Sequence, residues 1–295
     1  MASKPYKGRL GLTFWLPLGW LAVVVLAALT AEMWPVPRPD RMDWQQLNAV
    51  PGAPAELPAD QAQEDGCRNI RTHLLGTDTL GRDLFSRLIH GARVSLAVGL
   101  IAPLIGLLGG GLLGCLAGYY RGRIDALIVG LLDVILAFPG LVLLLAVAFF
   151  MGPDLSHLIV ALGFLSIPAF GRVARAQTLT LSRQAFVEAA RLSGAGDLAI
   201  LVREIAPNVA VPLTVYGLLV VAFMITAEGA LSFLGLGVPA PTPSWGAMIA
   251  QGREVLEEAP HVSLIPAGVM YLTVMSFNLI GDSLRGRFEQ RPNQL

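Results

Sequence analysis

Charged residues are scarce in this sequence. Only 14% of its 295 residues are Asp, Glu, Lys or Arg, 54% are hydrophobic, and the mean hydropathy is +0.63. Soluble domains carry about 25% charged residues, so the composition excludes a soluble protein and predicts an integral membrane protein. The 21 basic residues balance the 21 acidic ones, which leaves no surplus positive charge for a phosphate backbone. We therefore expect no nucleic-acid partner.

Cysteine is also scarce, which limits disulfide and metal chemistry. There are two cysteines, and Cys115 lies in a charge-free run of 27 residues, so an internal disulfide with Cys67 is not expected. Cys67, His73 and the nearby Glu64 and Asp65 form an alternative metal-binding group, but their spacing matches no closed zinc site. We expect no metal in this chain.

The only lysines are Lys4 and Lys7, so the chain lacks the lysine that a Walker A loop needs to bind nucleotide phosphates. Neither a His-Glu-x-x-His nor a Gly-x-Ser-x-Gly motif occurs, and the four histidines fall in separate segments. The sequence therefore predicts a non-catalytic chain with no cofactor of its own, and a membrane-embedded enzyme is disfavoured.

Long uncharged runs define the fold class. A helix needs about 20 apolar residues to cross a hydrocarbon core of about 30 Å, and strands of a lipid-facing barrel would alternate instead. Besides the four runs that contain no charge, two further runs qualify as membrane spans. One of them must tolerate Asp133, and the other must continue past Arg172 to about Thr178. We therefore predict an all-α integral membrane protein with six transmembrane helices, over residues 13–31, 94–120, 126–150, 155–178, 205–227 and 262–281.

Arginine and lysine indicate the orientation. With six spans, the segments on the side of the termini carry thirteen basic residues when Arg172 and Arg175, which follow the charge-free stretch 155–171, are counted with them, whereas the two short segments opposite carry only Arg253. The positive-inside rule then places both termini in the cytoplasm. A signal peptide is the alternative for the first run, but the run is long and no small-x-small site follows. The predicted organisation is 1–34 (terminus and first helix), 35–93 (extracytoplasmic), 94–285 (core, with a cytoplasmic loop at 179–208) and 286–295 (tail).

Glycines in the second span recur every four residues. This spacing places them on one helical face where another backbone can approach closely, although a pore lining is the alternative. The glycines are Gly106, Gly110, Gly114 and Gly118. No internal repeat is visible, which weighs against secondary transporters built from two related halves.

Prolines and two carboxylates interrupt the apolar runs. Each of the last five spans has a proline within it or at its end, which favours kinks that either shape the bundle or serve a moving pathway. Asp133 and Glu228 are the deepest ionisable groups, and such groups face a cavity, a partner charge or the bundle interior. Both are candidates for the pathway. The alternative for Asp133 is a structural hydrogen bond to a neighbouring helix, and the alternative for Glu228 is a hydrated position near the outer interface. The prolines are Pro103, Pro139, Pro168, Pro212 and Pro266.

Two polar segments carry further information. Residues 75–87 lead into the second span, and their leucine spacing predicts a helix in the membrane interface with Asp83 and Arg87 paired on it. Residues 183–197 predict a short amphipathic helix that stops at Gly194, followed by a second helix capped by Asp197. A helix that is presented to a cytoplasmic partner explains this turn best.

These two segments resemble the transmembrane subunits of ABC importers for oligopeptides, dipeptides and nickel. The first contains Leu-Gly-Thr-Asp at 75–78, Gly-Arg-Asp at 81–83 and Ser-Arg at 86–87, and the second contains Glu-Ala-Ala at 188–190 followed by Gly194. The later Ile-x-Leu-Pro of the family becomes Ile205-Ala206-Pro207, without the leucine. Leu-Ser-Phe-Leu-Gly-Leu-Gly at 231–237 is also similar. The resemblance covers about 75–285, and residues 35–74 match nothing in the family.

The resemblance implies a type I ABC importer permease fold and a set of partners. These are a sister permease, two cytoplasmic ATPases that bind ATP and Mg, and an extracytoplasmic binding protein that delivers peptides or, less commonly, nickel or opine-like solutes. It assigns ATPase coupling to Glu188, Ala189, Ala190, Gly194, Ile205 and Pro207. The resemblance also implies an external motif of the family, which here consists of Gly76, Thr77, Asp78, Gly81, Arg82, Asp83 and Arg87. The rival from another class is a self-contained secondary transporter or channel.

Overall fold

A computed structural model describes residues 11–55 and 72–288. In these ranges the chain is almost entirely helical, with one short antiparallel pair of strands, β1 (Ala53–Pro54) and β2 (Thr72–His73). The helices are α1 (Leu12–Leu29), α2 (Leu84–Tyr120), α3 (Gly122–Ala137), α4 (Gly140–Met151), α5 (Leu155–Leu181), α6 (Ala185–Leu192), α7 (Asp197–Ile200), α8 (Ala206–Phe233), α9 (Trp245–Gly252) and α10 (His261–Phe288).

Five segments of the described chain are long and apolar enough to cross a membrane: α1, α2, α5, the segment from α7 through α8, and α10. The sixth predicted span, 126–150, is not one straight helix. It is divided into α3 and α4, which meet at an angle of 74°. Phe138 and Pro139 have extended backbone at the break, and Pro139 provides no N–H to continue the helical hydrogen bonds. The other four predicted prolines lie inside continuous helices.

Helix α2 starts well before its charge-free run. Asp83 is its N-cap, and the Asp83 carboxylate accepts a hydrogen bond of 2.7 Å from the Ser86 backbone N–H. At 1.5 Å per residue, the 37 residues of α2 span about 55 Å, which exceeds the hydrocarbon thickness. The prediction of a separate interfacial helix over 75–87 was therefore wrong: residues before Leu84 form turns, and later ones belong to α2.

The centre of the bundle is α2, which packs along α5 and also contacts α1, α3 and α8. One buried apolar cluster joins α2, α5 and α8 and includes Val98, Phe170 and Met224. A second joins α1, α2, α8 and α10 around Trp245 of α9, which is fully buried. Helices in lipid gain little from the hydrophobic effect, so close packing of this kind is what holds them together.

The two ends of the bundle carry different structures. Residues 34–55 and 72–83 form a lobe of turns with β1 and β2 at the start of α2, and α9 lies beside it. At the other end, α6 and α7 connect α5 to α8, and α7 continues through a π-helical turn, Leu201–Ile205, directly into α8. Pro207 is accommodated there because it lies in the first turn of α8, where its missing N–H is not needed.

Candidate functional site

Helix α6 lies on the surface of the bundle end that it shares with α7. Of its eight residues only Val187 is buried, and Glu188 and Ala189 are exposed. Leu192 and, beyond the turn, Leu198 are 85% and 70% exposed. An amphipathic helix with one anchoring residue and two exposed leucines beside it offers a surface for a partner protein.

The turn after α6 has a Schellman geometry, which explains the glycine at 194. The Ala195 N–H donates to the Ala190 carbonyl at 3.1 Å, and the Gly194 N–H donates to the Arg191 carbonyl at 2.9 Å. Gly194 has a φ of +82°, and a Cβ there would meet no other atom within 4 Å. Backbone conformation alone therefore requires glycine here.

Helix α2 is tied to this turn by Tyr119. Its hydroxyl donates to the Asp197 carboxylate at 2.6 Å, and the Arg191 guanidinium lies 5.6 Å from the centre of its ring. The prediction that Asp197 caps α7 was wrong, because the N-cap is Gly196 and the Asp197 carboxylate bonds to Tyr119 instead. Tyr119 could not be identified from the sequence, because its partner is 78 residues away.

Two further residues of the predicted coupling set lie on either side of the turn, Ala190 before it and Ile205 after it. Ala190 is half-buried, and Ile205 is fully buried at the end of the π-helical turn, where it joins the apolar cluster of α2, α5 and α8. The structure thus connects the exposed surface of α6 to the interior of the bundle through two routes, Tyr119 and Ile205. Such a surface can pass displacement of a bound partner to the membrane helices.

The external motif forms a buried ionic network. Asp78 Oδ2 lies 2.7 Å from Arg82 Nε and 3.3 Å from Arg87 Nε, and all three side chains are almost completely buried. Arg82 also donates to the amide oxygen of Gln251 on α9 at 2.8 Å. The predicted pairing of Asp83 with Arg87 along a helix was wrong, because Asp83 is occupied as the N-cap while Arg87 reaches Asp78.

Three other motif residues fasten the preceding loop. The Thr77 hydroxyl donates to the Gln46 carbonyl and accepts from the Ala49 N–H. Gly76 and Gly81 have positive φ, and a Cβ on either would collide with the backbone of residues 43–50. The motif therefore holds the lobe together at the start of α2. Asp78 pairs with Arg82 and Arg87 inside the lobe, although Arg87 Nε makes no hydrogen bond there, and this internal pairing supports a structural role for the motif.

His73 lies between two acidic side chains of this lobe. Its Nδ1 is 2.8 Å from Asp83 and its Nε2 is 3.6 Å from Asp43. Burial disfavours the charged imidazolium, but hydrogen bonding and charge from Asp83 and Asp43 outweigh it and raise the pKa of His73 above its ordinary value of 6.5. The alternative metal group cannot be placed, because residues 64, 65 and 67 lie outside the described ranges. Within those ranges, no three potential ligands come together.

The four spaced glycines of α2 face α5. A Cβ on Gly106 would collide with Ser166, one on Gly110 with the backbone at Ile167, one on Gly114 with the backbone at Gly171, and one on Gly118 with Thr178. The two backbones are therefore in contact along this face, as small residues permit.

The two intramembrane carboxylates have different environments. Glu228 is completely buried in α8, where its oxygens accept hydrogen bonds from the hydroxyls of Ser95 at 3.1 Å and Ser232 at 2.8 Å. The Ser95 hydroxyl oxygen in turn accepts a hydrogen bond from the backbone N–H of Trp245, so Glu228 helps to hold α9 on α2 and α8. Asp133 lies on an exposed face of α3 and forms an ion pair of 2.7 Å with Arg172 of α5.

Comparison with known proteins identifies the family. Residues 110–294 match the family described as the inner membrane component of binding-protein-dependent transport systems. The glutathione transport system permease protein GsiD of Pectobacterium atrosepticum is 38% identical over 271 residues, covering 92% of this chain and 84% of the relative. GsiD of an Escherichia coli strain is 46% identical over 219 residues, covering 74% of this chain and 72% of the relative.

A solved structure confirms the predicted fold. The MetNI methionine ABC transporter, in an inward-facing conformation, contains a chain that superposes with a TM-score of 0.57 at 18% identity, covering 68% of this chain and 95% of that one. At this identity the likeness concerns the fold alone, that of a type I importer permease. The chain therefore belongs to the inner-membrane components of binding-protein-dependent transport systems and is a permease subunit of an ABC importer.

Proposed function

We propose that this permease subunit forms half of the pathway for a peptide-like cargo, together with a sister permease. Cargo is delivered by an extracytoplasmic binding protein, and two ATPase subunits dock on α6 and the turn that follows it. The exposed surface of α6, connected to α2 by the hydrogen bond between Tyr119 and Asp197, is the observation that carries this proposal. ATP and Mg bind to the partner subunits, and this chain holds no cofactor of its own.

The proposed orientation puts both termini and α6 in the cytoplasm and the lobe around His73 outside. The thirteen-to-one distribution of basic residues supports it. A cysteine in place of Val50, which is 65% exposed in the lobe, should react with an impermeant maleimide in intact cells. A cysteine in place of Leu192, which lies on the proposed docking surface, should react only after lysis and removal of the ATPases, and the opposite pattern would reverse the orientation. Both substitutions are made in a background without the native cysteines.

Peptides are the proposed cargo class because the GsiD relatives are named as glutathione permeases. Nickel and opine-like solutes remain the alternative cargoes within the family. Glutathione is a tripeptide with free carboxylates and an ammonium group, and it serves as the test cargo. A self-contained secondary transporter, the rival from another class, would instead be driven by a gradient and would work without ATPase subunits.

The deciding experiment uses the assembled complex in proteoliposomes with purified binding protein. The permease should co-purify with an ATPase and accumulate radiolabelled glutathione only when ATP is supplied on the cytoplasmic side. Leu192→Glu should weaken ATPase association because it puts a charge into the apolar docking surface. Leu131→Ala, on α3 away from this surface, is the control. Gradient-driven uptake by the permease alone would favour the secondary transporter.

A further inference from the structure

Two charged side chains lie on the outer surface of the membrane-spanning part of the bundle. Arg172 on α5 and Asp133 on α3 are 60% and 53% exposed, although they are within hydrogen-bonding distance of each other. Arg172 is nine residues from the end of α5 and Asp133 is eleven residues from the start of α3. At 1.5 Å per residue, Arg172 lies about 13.5 Å from the end of α5 and Asp133 lies about 16.5 Å from the start of α3, within the depth of a hydrocarbon core of about 30 Å.

Hydrocarbon is a poor environment for this pair. Ionised side chains within membrane spans almost always face a protein interior or a water-filled cavity, because removing them from water is costly. The pair is not covered by any other part of the described chain. Its open side must therefore face water or another protein.

The broken span beside the pair points to the same face. The helical backbone is interrupted between Ala137 and Gly140, within two turns of Asp133, and only Leu144 of α4 is buried. At membrane depth, non-helical backbone is tolerated where it is buried in protein or lines a water-filled cavity. A break and an exposed ion pair in the same span are two separate indications that this face is not against lipid.

A cavity lies farther along the face of α5 that carries Arg172. Leu165, Ala169 and Arg172 recur at intervals of four and three residues and so share a face of α5. Leu165 and Ala169 line a cavity of about 270 Å³, whose other wall contains Tyr216 and Phe223 of α8. Arg172 thus lies on the same face of α5 as the wall of this cavity, about one helical turn beyond Ala169.

A second ion pair between the same helices shows what a purely structural pair looks like. Arg175 binds Asp125 through two nitrogens, with side chains only 35% and 18% exposed. This bidentate contact already clamps α3 to α5. Holding the two helices together therefore does not require Asp133 and Arg172 to be charged.

We propose that Arg172 and Asp133 line the aqueous transport pathway and bind the charged groups of a zwitterionic peptide as it passes. The Arg172 guanidinium binds a carboxylate of the cargo, and the Asp133 carboxylate binds an ammonium group of the cargo. When cargo binds, its carboxylate replaces Asp133 as the partner of Arg172, and its ammonium group replaces Arg172 as the partner of Asp133. When no cargo is present, Arg172 and Asp133 pair with each other. This inference rests on the proposed peptide transport function.

The first test measures glutathione uptake per ATP hydrolysed in proteoliposomes with saturating binding protein. Arg172→Gln and Asp133→Asn should each lower this ratio about tenfold, since each removes a charge-assisted hydrogen bond to the cargo. Binding-protein stimulation of ATP hydrolysis should persist. Arg175→Gln is the matched control, because it breaks an ion pair of the same two helices, and it should lower thermal stability without changing the ratio.

The charge-swapped double variant, Arg172→Asp with Asp133→Arg, separates a binding role from a structural one. It should recover thermal stability but not uptake, because the rest of the pathway fixes the orientation of the cargo. Full recovery of uptake would overturn the proposal, as would single variants with wild-type ratios.

The second test asks whether this face sees water and does not depend on the cargo. Ala169→Cys, in a chain with Cys67 and Cys115 replaced by serine, should react with a small cationic thiosulfonate in the assembled complex, and glutathione delivery should slow the reaction. An unreactive cysteine would place the face against the sister subunit and overturn the proposal. If the wild-type complex shows no ATP-driven uptake, the proposed function fails, whereas the reactivity of Ala169→Cys still reports on this face.

Discussion

The Tyr119 hydroxyl donates a 2.6 Å hydrogen bond to the Asp197 carboxylate, which joins the end of α2 to the start of α7. Tyr119 is buried and Asp197 is exposed, so the bond connects the interior of the bundle to the surface on which we place the ATPases. Arg191 of α6 packs on the same ring. This cluster gives α6 a direct contact with the longest membrane helix.

Tyr119→Phe should therefore reduce coupling more than it reduces stability. The change removes the hydrogen bond to Asp197, worth about 1 kcal/mol, and the longer one of 3.4 Å that the hydroxyl accepts from Arg191, and it leaves the ring in place under Arg191. We expect ATP hydrolysis to continue while cargo accumulated per ATP falls. Tyr120→Phe, at the adjacent and more exposed ring, is the control. Equal ratios in the two variants would show that the bond plays no part in coupling.

The requirement for a positive φ at Gly194 can be tested by comparing substitutions there with the alanine substitution at Gly196. Gly194→Ala should destabilise the turn by about 1 kcal/mol because φ is +82°, and Gly194→Val should cost more. Gly196 has a φ of −71° and equally open surroundings, so Gly196→Ala should be tolerated. The measurement is ATP-driven uptake alongside thermal unfolding of the complex. Since a side chain at 194 meets nothing inside the subunit, a defect in Gly194→Val that exceeds its loss of stability indicates a clash with the docked ATPase.

Glu188→Lys tests the charge of the same segment. Glu188 is exposed in the first turn of α6, where a carboxylate also favours the helix N-terminus. We expect a folded permease in which ATP hydrolysis no longer drives uptake. Wild-type coupling together with loss of cargo affinity would instead make this loop a substrate site.

The close contact between α2 and α5 predicts a contrast between adjacent glycines. Gly110→Ala should destabilise the permease by about 1 to 3 kcal/mol, because the new Cβ would overlap the backbone at Ile167. Gly111→Ala should be neutral or slightly stabilising, because its Cβ would meet only the Leu213 side chain at 3.4 Å. Thermal unfolding in detergent measures both. Gly110→Leu should also lower assembly of the complex, and equal stability of the two alanine variants would mean that the helices can separate at no cost.

The His73 environment predicts a pH dependence of the lobe at the start of α2. The pKa of His73 is raised in the folded state, so its contribution to stability is fully present below the unfolded value of about 6.5 and is lost as pH rises through the folded value. The melting temperature should therefore fall on this alkaline side more steeply for the wild type than for His73→Gln. Identical pH profiles would show that the imidazolium contributes nothing between Asp43 and Asp83.

The sequence by itself determined the class of this protein. The chain has uncharged runs of about 20 residues and a strongly apolar composition. Such runs permit only membrane helices, because backbone N–H and C=O groups in lipid must form their hydrogen bonds within each segment. The local motifs at 75–87 and 188–194 were sufficient to indicate the importer family. Gly194 was also predictable as the end of α6, since a left-handed residue after a helix is a local property of the chain.

The tertiary structure decided which partners these residues have. The sequence placed Asp83 and Arg87 as a pair four residues apart, but packing of the lobe assigns Asp83 to the helix cap and Arg87 to Asp78. The sequence also could not show that Asp197 contacts Tyr119, or that Asp133 contacts Arg172, because both contacts join residues far apart in the chain. Periodicity reports which face of a helix a residue occupies, whereas the neighbour of that face depends on how the helices assemble.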